Sequence, residues 1–95
     1  MNDQKNFEDI PAGKEISYEH LLFYLEQGRE IEFVYKGKEY FISNSSEGRA
    51  LWTGKLKLSE NFSEDNTSLV QSVKIEEVTL ADLLKQGKIK ISTVF

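Results

Sequence analysis

The sequence predicts an α+β domain in which an antiparallel sheet of about four strands packs against two or three helices. One observation is the alternation of apolar and polar residues around a Lys-Gly pair within residues 30–42, which is typical of a half-buried hairpin. Another is that capped helical segments ending in glycine precede and follow this hairpin. The 95 residues, 39% apolar and 29% charged, are enough for one globular domain with a single core.

The first regular element is a helix. Residues 1–15 hold few apolar side chains and the only proline of the chain, so we expect them to be a flexible lead-in to a domain over residues 16–95. Ser17 is a favourable N-cap for a helix over 17–27, and Gly28 can end it in a left-handed conformation. One face of this helix is apolar at helical spacing: Tyr18, Leu21, Leu22 and Leu25.

The central hairpin determines its own register. A two-residue turn at 36–37 places Phe33 opposite Tyr40 and Ile31 opposite Ile42, so the large apolar side chains share one face. The two predicted strands span residues 30–36 and 38–44. The other face carries three residues of the first strand and one aromatic residue of the second: Glu30, Glu32, Val34 and Phe41.

The second half of the chain has weaker signals. A third strand is expected over 49–53, because a lone hairpin is marginal in water, and the polar segment after it predicts mostly loop. Residues 65–73 allow either a strand or a short helix, and the acids before them favour the helix. Thr79 can cap a helix over 79–86. Alternation over 88–95 predicts a final strand.

Few residues of this sequence are suited to catalysis. There is no cysteine and one histidine, which excludes disulfides, thiolate nucleophiles and cysteine zinc sites. His20 falls on the polar side of the first helix, where we expect it to face solvent. Adjacent acids such as Glu64 and Asp65 are typical of a solvated surface, and the glycines match no phosphate-binding motif. We therefore expect a protein that is not an enzyme and that has no metal or cofactor.

Leu21 and Leu22 of the first helix are followed by residues 27–42, which read Q-G-R-E-I-E-F-x-Y-x-G-K-x-Y-x-I. This combination resembles small uncharacterised proteins of Gram-positive bacteria, their prophages and their mobile elements. A second stretch that resembles these proteins lies within residues 74–84. The resemblance implies an α+β domain of bacterial or phage origin and supplies no catalytic motif. The chain has Glu76 and Glu77 where such proteins often place a glycine before the second helix.

Charge indicates the kind of partner. The formal net charge is −4, from 16 acids and 12 bases, which weighs against DNA or an anionic membrane surface as the main partner. We expect a small acidic binding protein that inhibits or modulates a host protein with a basic surface, one that handles nucleic acid or acts in defence. The candidate partner-binding residues are acids and aromatics of the hairpin face and the loops: Glu30, Glu32, Glu39, Phe41, Glu47, Trp52, Glu64 and Asp65.

Four aromatic side chains leave two interpretations open: Phe23, Tyr24, Phe41 and Trp52. They form an exposed stacking platform or interaction hot spot, or a further helix covers the second face of the sheet and buries them. Together with a rim of lysines they define the alternative function, a nucleic-acid or small-ligand binding module. The rim consists of Lys36, Lys38, Lys55 and Lys57.

The sequence also bears on localisation. No apolar run approaches the ~18–20 residues of a membrane helix. The N-terminus is polar and acidic and does not resemble a secretory signal. We therefore expect a cytoplasmic protein without a membrane segment, and the oligomeric state is not indicated.

Overall fold

The computed structural model describes residues 10–63 and 65–95. They form an α+β domain with antiparallel sheets, as the sequence predicts. The helices are α1 (Tyr18–Glu26), α2 (Asn66–Ser72) and α3 (Leu80–Lys85). The strands are β1 (Ile31–Tyr35), β2 (Lys38–Ser45), β3 (Gly48–Thr53), β4 (Leu56–Lys57), β5 (Lys74–Ile75), β6 (Val78–Thr79) and β7 (Lys90–Val94). The main sheet has the strand order β4-β3-β2-β1-β7, and β5 pairs with β6 in a second, two-stranded sheet.

Helix α1 begins and ends where the sequence predicts. The Ser17 hydroxyl accepts a hydrogen bond from the backbone N–H of His20 at 3.0 Å, which satisfies one of the donors that a helix start leaves unpaired. Gly28 follows the helix with a φ of +81°, a left-handed conformation that glycine adopts without strain.

The end of the predicted lead-in lies beside β7. The backbone N–H of Gly13 donates to the carbonyl oxygen of Ile91 at 2.8 Å, and the N–H of Ile91 donates to the carbonyl oxygen of Lys14 at 2.8 Å. These bonds pair backbone groups at the outer edge of the main sheet. Residues 1–9, the rest of the predicted lead-in, lie outside the described residues.

The prediction that His20 faces solvent is wrong. Its side chain is only 9% exposed, and its ring centroid lies 4.6 Å from that of Tyr24. Tyr24 is fully buried, and its hydroxyl accepts a hydrogen bond from the backbone N–H of Ile10 at 2.9 Å. The chain before α1 therefore reaches this side of the helix and contributes to burying a face that the sequence alone marks as polar.

The hairpin of β1 and β2 has the predicted register. Phe33 pairs with Tyr40, and the neighbouring residues of the two strands pair in the same register. The rings of Phe33 and Tyr40 stack with their centroids 5.4 Å apart. Lys36 and Gly37 have φ values of +53° and +75°, which is the left-handed pair that a two-residue type I′ turn needs.

The main sheet has five strands, whereas the sequence predicts about four. The polar segment predicted as mostly loop adds the short strand β4 and a bridge between Arg49 and Phe62. Gly48 permits this close approach, since its φ is +109° and a Cβ there would lie 2.5 Å from the carbonyl oxygen of Phe62. Edge pairing of this kind depends on backbone groups, so the side-chain pattern does not reveal it.

The second half of the chain contains the predicted helices and an unpredicted hairpin. Residues 66–72 are helical, so the helix interpretation of 65–73 is confirmed. Thr79 caps α3 by accepting a hydrogen bond from the backbone N–H of Asp82 at 3.1 Å. Between these helices, β5 and β6 form a hairpin whose turn residues Glu76 and Glu77 have φ values of +54° and +70°. Because such turns favour Gly, Asn and Asp, two glutamates give no sequence signal for one.

The three helices pack on one face of the main sheet. A single core joins them to that face through fully buried side chains: Leu21, Leu25, Ile31, Phe33, Ile42, Leu51, Leu69, Leu80 and Leu83. Alternate residues of the same strands point to the opposite side. No helix or strand of the described residues packs there, so the described elements leave this second side of the sheet uncovered.

Candidate functional site

The side of the main sheet that faces away from the helices is the candidate site. Cross-strand partners share a face of a sheet, and the register pairs Glu32 with Phe41, Val34 with Glu39, and Phe41 with Trp52. Phe95 joins them because its ring contacts that of Phe41. The register also places Lys90 opposite Val34, Thr93 opposite Glu32 and Lys57 opposite Trp52. We call this surface the open face and define it by the following residues: Glu32, Val34, Glu39, Phe41, Ser43, Trp52, Lys57, Lys90, Thr93 and Phe95.

An aromatic cluster occupies the middle of the open face. The rings of Phe41 and Phe95 meet edge to face, with centroids 6.0 Å apart and an interplanar angle of 81°. Phe95 is 59% exposed. Beside them, the indole N–H of Trp52 donates to the Ser43 hydroxyl at 3.0 Å, which holds the indole against the sheet.

This arrangement decides between the two interpretations of the aromatic residues whose surroundings the sequence leaves open. Phe41 and Trp52 are half-buried on the open face, and no helix of the described part of the chain covers them. Tyr24 is fully buried in the core, and Phe23 packs against that core. The interpretation in which a further helix buries the aromatics is therefore wrong for Phe41 and Trp52. The interpretation as an exposed platform is wrong for Tyr24.

A cleft of about 350 Å³ lies at the aromatic cluster, lined by Glu32, Glu39, Tyr40, Phe41, Gly54 and Phe95. Within the described residues, no lysine or arginine nitrogen comes within 4.0 Å of the Glu32 or Glu39 carboxylate. Burial, with a smaller effect of Glu76, raises the pKa of Tyr40 above its ordinary value of 10.0, so this phenol stays neutral at physiological pH. The charge of the cleft therefore comes from its two carboxylates, beside aromatic rings.

The other predicted partner-binding residues lie elsewhere. Glu47 is exposed in the turn between β2 and β3, roughly 25 Å along β2 from Glu39 at the usual rise of a strand. Asp65 caps α2, where its carboxylate accepts a hydrogen bond from the backbone N–H of Thr67 at 3.0 Å. Glu64 lies outside the described residues. The eight predicted residues therefore do not form one surface.

Glu30 has a structural partner. Its carboxylate accepts a hydrogen bond from the backbone N–H of Asn44 at 2.9 Å, and the Asn44 side-chain amide donates to the Gly28 carbonyl oxygen at 3.1 Å. These bonds connect the end of α1 to β2. Glu30 is thus engaged in the fold, unlike the two carboxylates of the open face.

The structure also identifies a buried charge that the sequence analysis does not single out. Arg49 is 4% exposed, and its guanidinium donates to the carbonyl oxygens of Leu25 at 2.7 Å and Arg29 at 2.9 Å, at the C-terminal end of α1. Burial lowers the pKa of this guanidinium, and Glu30 acts in the opposite direction. A cation here also complements the negative end of the helix dipole. The sequence signal for the burial of Arg49 is its position two residues before Leu51, which places it on the face of β3 that the helices cover.

A second, more polar cleft of about 260 Å³ lies beside Arg49, at the turn between β2 and β3. Arg49 and Asn44 line it, and both already form hydrogen bonds within the fold. Asp65, also on its wall, caps α2. These polar groups stabilise the junction of helix and sheet, so this cleft is a weaker candidate than the open face.

The predicted lysine rim is not one continuous surface. Lys36 forms an ion pair with Glu76 at 3.0 Å, and the hydrogen bond and charge of Glu76 raise the Lys36 pKa. The ammonium of Lys38 lies 5.8 Å from the ring centroid of Tyr40, on the hairpin tip. Lys57 pairs with Trp52 across the sheet and donates to the Asn61 side chain, while Lys55 is exposed in the adjacent turn.

The described residues contain neither a metal-binding cluster nor a membrane-spanning helix. Their acids and histidine form no group of three or more that could hold a metal ion. None of their helices has the length and apolarity to cross a membrane. Comparison with known proteins adds no assignment, since no family model, no curated protein and no solved structure matches the chain.

Proposed function

We propose that this protein is a non-enzymatic binding protein whose open face docks on a basic surface of another protein. The observation that carries the proposal is the cleft of the open face, where Glu32 and Glu39 have no ion-pair partner within the described residues and lie beside Phe41 and Phe95. Exposed aromatic side chains are the usual anchors of protein interfaces. Uncompensated carboxylates around them attract a cationic partner and repel an anionic one.

The charge of the cleft on the open face favours a protein over a nucleic acid as the partner. Exposed aromatics on a sheet can stack bases, but nucleic-acid binding also needs cations that follow the phosphates. Among the described residues, the cleft itself is lined by two carboxylates and no cation, whereas Lys57 and Lys90 lie on the open face outside the cleft lining and Lys36 is paired with Glu76. A nucleic-acid binding module is therefore the second candidate, supported by the exposed rings and by Lys57 and Lys90.

The proposed role is inhibition or modulation of a cytoplasmic protein that handles nucleic acid or acts in defence. Such proteins have basic surfaces where phosphates bind, and an acidic surface can compete for them. The resemblance of residues 27–42 to proteins of Gram-positive bacteria and their prophages suggests a bacterial host for this partner. The net charge of −4 is consistent with such a role.

The test is affinity capture from a Gram-positive lysate with three forms of the protein as bait. The wild type should retain a basic protein at low salt and release it at high salt, because the attraction is electrostatic. The double substitution Glu32→Gln and Glu39→Gln should lose that protein. Glu47→Gln with Glu60→Gln removes the same charge away from the open face and should retain it. Equal capture by all three baits would contradict the proposal.

A second arm tests the nucleic-acid alternative. Trp52 is the single tryptophan of the chain and lies on the open face, so its fluorescence reports on binding there. We expect no change when a single-stranded oligonucleotide is added. Saturable quenching that the carboxylate substitutions strengthen would favour the nucleic-acid function instead, since removing acids reduces repulsion of phosphates.

A further inference from the structure

We infer that the cleft between Phe41 and Phe95 receives a single arginine side chain of the partner protein. This inference rests on the proposed function and specifies the chemistry that the open face recognises. It begins from the geometry of the cleft, where a ring pair and two carboxylates line the same space of about 350 Å³. A volume of this size is roughly ten times that of one water molecule, so a side chain can enter.

The arrangement of rings and carboxylates suits a guanidinium. Because the two rings meet at 81°, they do not cover each other face to face, and a planar cation can stack against one of them. Glu32 is the direct cross-strand neighbour of Phe41, so its carboxylate is close enough to the ring for one cation to contact both. Arginine stacks on an aromatic face and forms two parallel hydrogen bonds to a carboxylate, and lysine does both less well.

The surroundings of the cleft weaken the case for lysine. An ammonium group is a compact, strongly hydrated charge, and transferring it to a space walled by aromatic rings costs hydration that the rings do not replace. A guanidinium is less strongly hydrated and loses less on entry. Glu39 supplies the second negative charge, so the cleft can hold a cation without leaving it uncompensated.

A second copy of this chain is a poor occupant. Its arginines are Arg29 and Arg49. Arg49 is buried and donates to two carbonyl oxygens of its own fold. The Arg29 guanidinium lies 5.2 Å from the ring centroid of Tyr24 and donates to the carbonyl oxygen of Phe95. Both would have to leave bonds within their own domain, so the arginine comes from a different protein.

The test compares a hexa-arginine peptide with a hexa-lysine peptide by calorimetry and Trp52 fluorescence. For the wild type we expect the arginine peptide to bind about tenfold more tightly, which corresponds to about 1.4 kcal/mol. Phe95→Leu should reduce this ratio to near one, because it removes a ring and keeps an apolar side chain. Glu32→Gln should weaken both peptides. Glu47→Gln, the matched control, should leave the ratio unchanged.

The outcomes separate the two proposals. Equal affinity of the wild type for both peptides would overturn the arginine inference while leaving the docking of a basic partner intact. A tenfold preference that persists in Phe95→Leu would also overturn it, since the ring pair would then not be the source. Phe95 is more than half exposed, so its substitution does not threaten folding. Absence of binding by both peptides, together with failed capture from the lysate, would overturn the proposed function itself.

Discussion

The two faces of the main sheet are made from alternate residues of the same strands, yet they differ in what surrounds them. On the covered face, Phe33 and Ile42 are fully buried beneath the helices. On the open face, Phe41 and Trp52 are half-buried and Phe95 is mostly exposed. Aromatic residues occur on both, so the presence of an aromatic ring does not distinguish a core position from a binding position.

The comparison shows how one strand can serve both stability and recognition. Since neighbouring residues point to opposite sides, a change at one position alters one face and leaves the other nearly intact. The covered face contributes most of the hydrophobic free energy of folding, because its side chains lose all contact with water. The open face keeps part of its apolar surface for a partner. Four experiments test this division, from the largest expected effect to the smallest.

The largest difference is expected between Phe33→Ala and Phe41→Ala. Removing the fully buried Phe33 ring should lower the free energy of unfolding by about 3–5 kcal/mol, since it leaves a cavity. Removing the half-buried Phe41 ring should cost about 1–2 kcal/mol. Urea titrations followed by circular dichroism measure both values. Equal losses would show that the open face is covered in solution.

Arg49→Met tests the charged residue on the covered face. The carbonyl oxygens of Leu25 and Arg29 would lose their guanidinium donors, and we expect a loss of about 1–3 kcal/mol in unfolding free energy. Arg49→Lys keeps a positive charge but not the fork of donors, so it should fall between the wild type and Arg49→Met. A methionine variant as stable as the wild type would show that packing alone fills this position.

Ser43→Ala tests the hydrogen bond that orients Trp52. The hydroxyl accepts the indole N–H at 3.0 Å, and its removal should cost about 0.5–1.5 kcal/mol. The tryptophan emission maximum should also shift, because the indole N–H then bonds to water. Thr53 follows Trp52 on β3, and its hydroxyl donates to the Glu39 carbonyl oxygen on β2. Thr53→Val removes this hydroxyl, is the control and should leave the emission unchanged. An unchanged emission in Ser43→Ala would contradict this role.

Glu32→Thr should have the smallest effect on stability and a large effect on binding. A β-branched residue suits a strand, and Glu32 has no ion-pair partner within the described residues, so the unfolding free energy should change by less than about 0.5 kcal/mol. Binding of the hexa-arginine peptide should weaken at least severalfold. A large loss of stability would show that this carboxylate supports the fold, contrary to the division between the two faces.

Much of the covered face could be predicted from the sequence. The register of Phe33 with Tyr40 followed from side-chain alternation and a turn containing Gly37, because a slip by one residue would expose the whole apolar set. The capping residues Ser17 and Thr79 were likewise readable, since each makes a hydrogen bond to the chain three residues later. These features are local or have a fixed period.

The candidate site was only partly predictable. Alternation places Glu32, Glu39 and Phe41 on one face of the hairpin, whereas the sequence assigns Trp52 to a third strand without fixing its surroundings. The structure brings these four residues together with Phe95. It separates Glu47 and Asp65 from them, because the distance between acids depends on where loops meet the sheet. Phe95 was assigned to a strand without any indication that its ring would meet Phe41.

The sequence by itself determined the three helices, the strands β1, β2, β3 and β7, the helix caps and the register of the central hairpin, because these depend on spacing between nearby residues. Only the tertiary structure decided which surfaces are buried. His20 is interior because the segment before α1 reaches that side of the helix, and Phe41 is accessible because all three helices pack on the opposite face. Burial depends on contacts between residues far apart in the chain, and a local sequence pattern does not indicate those contacts.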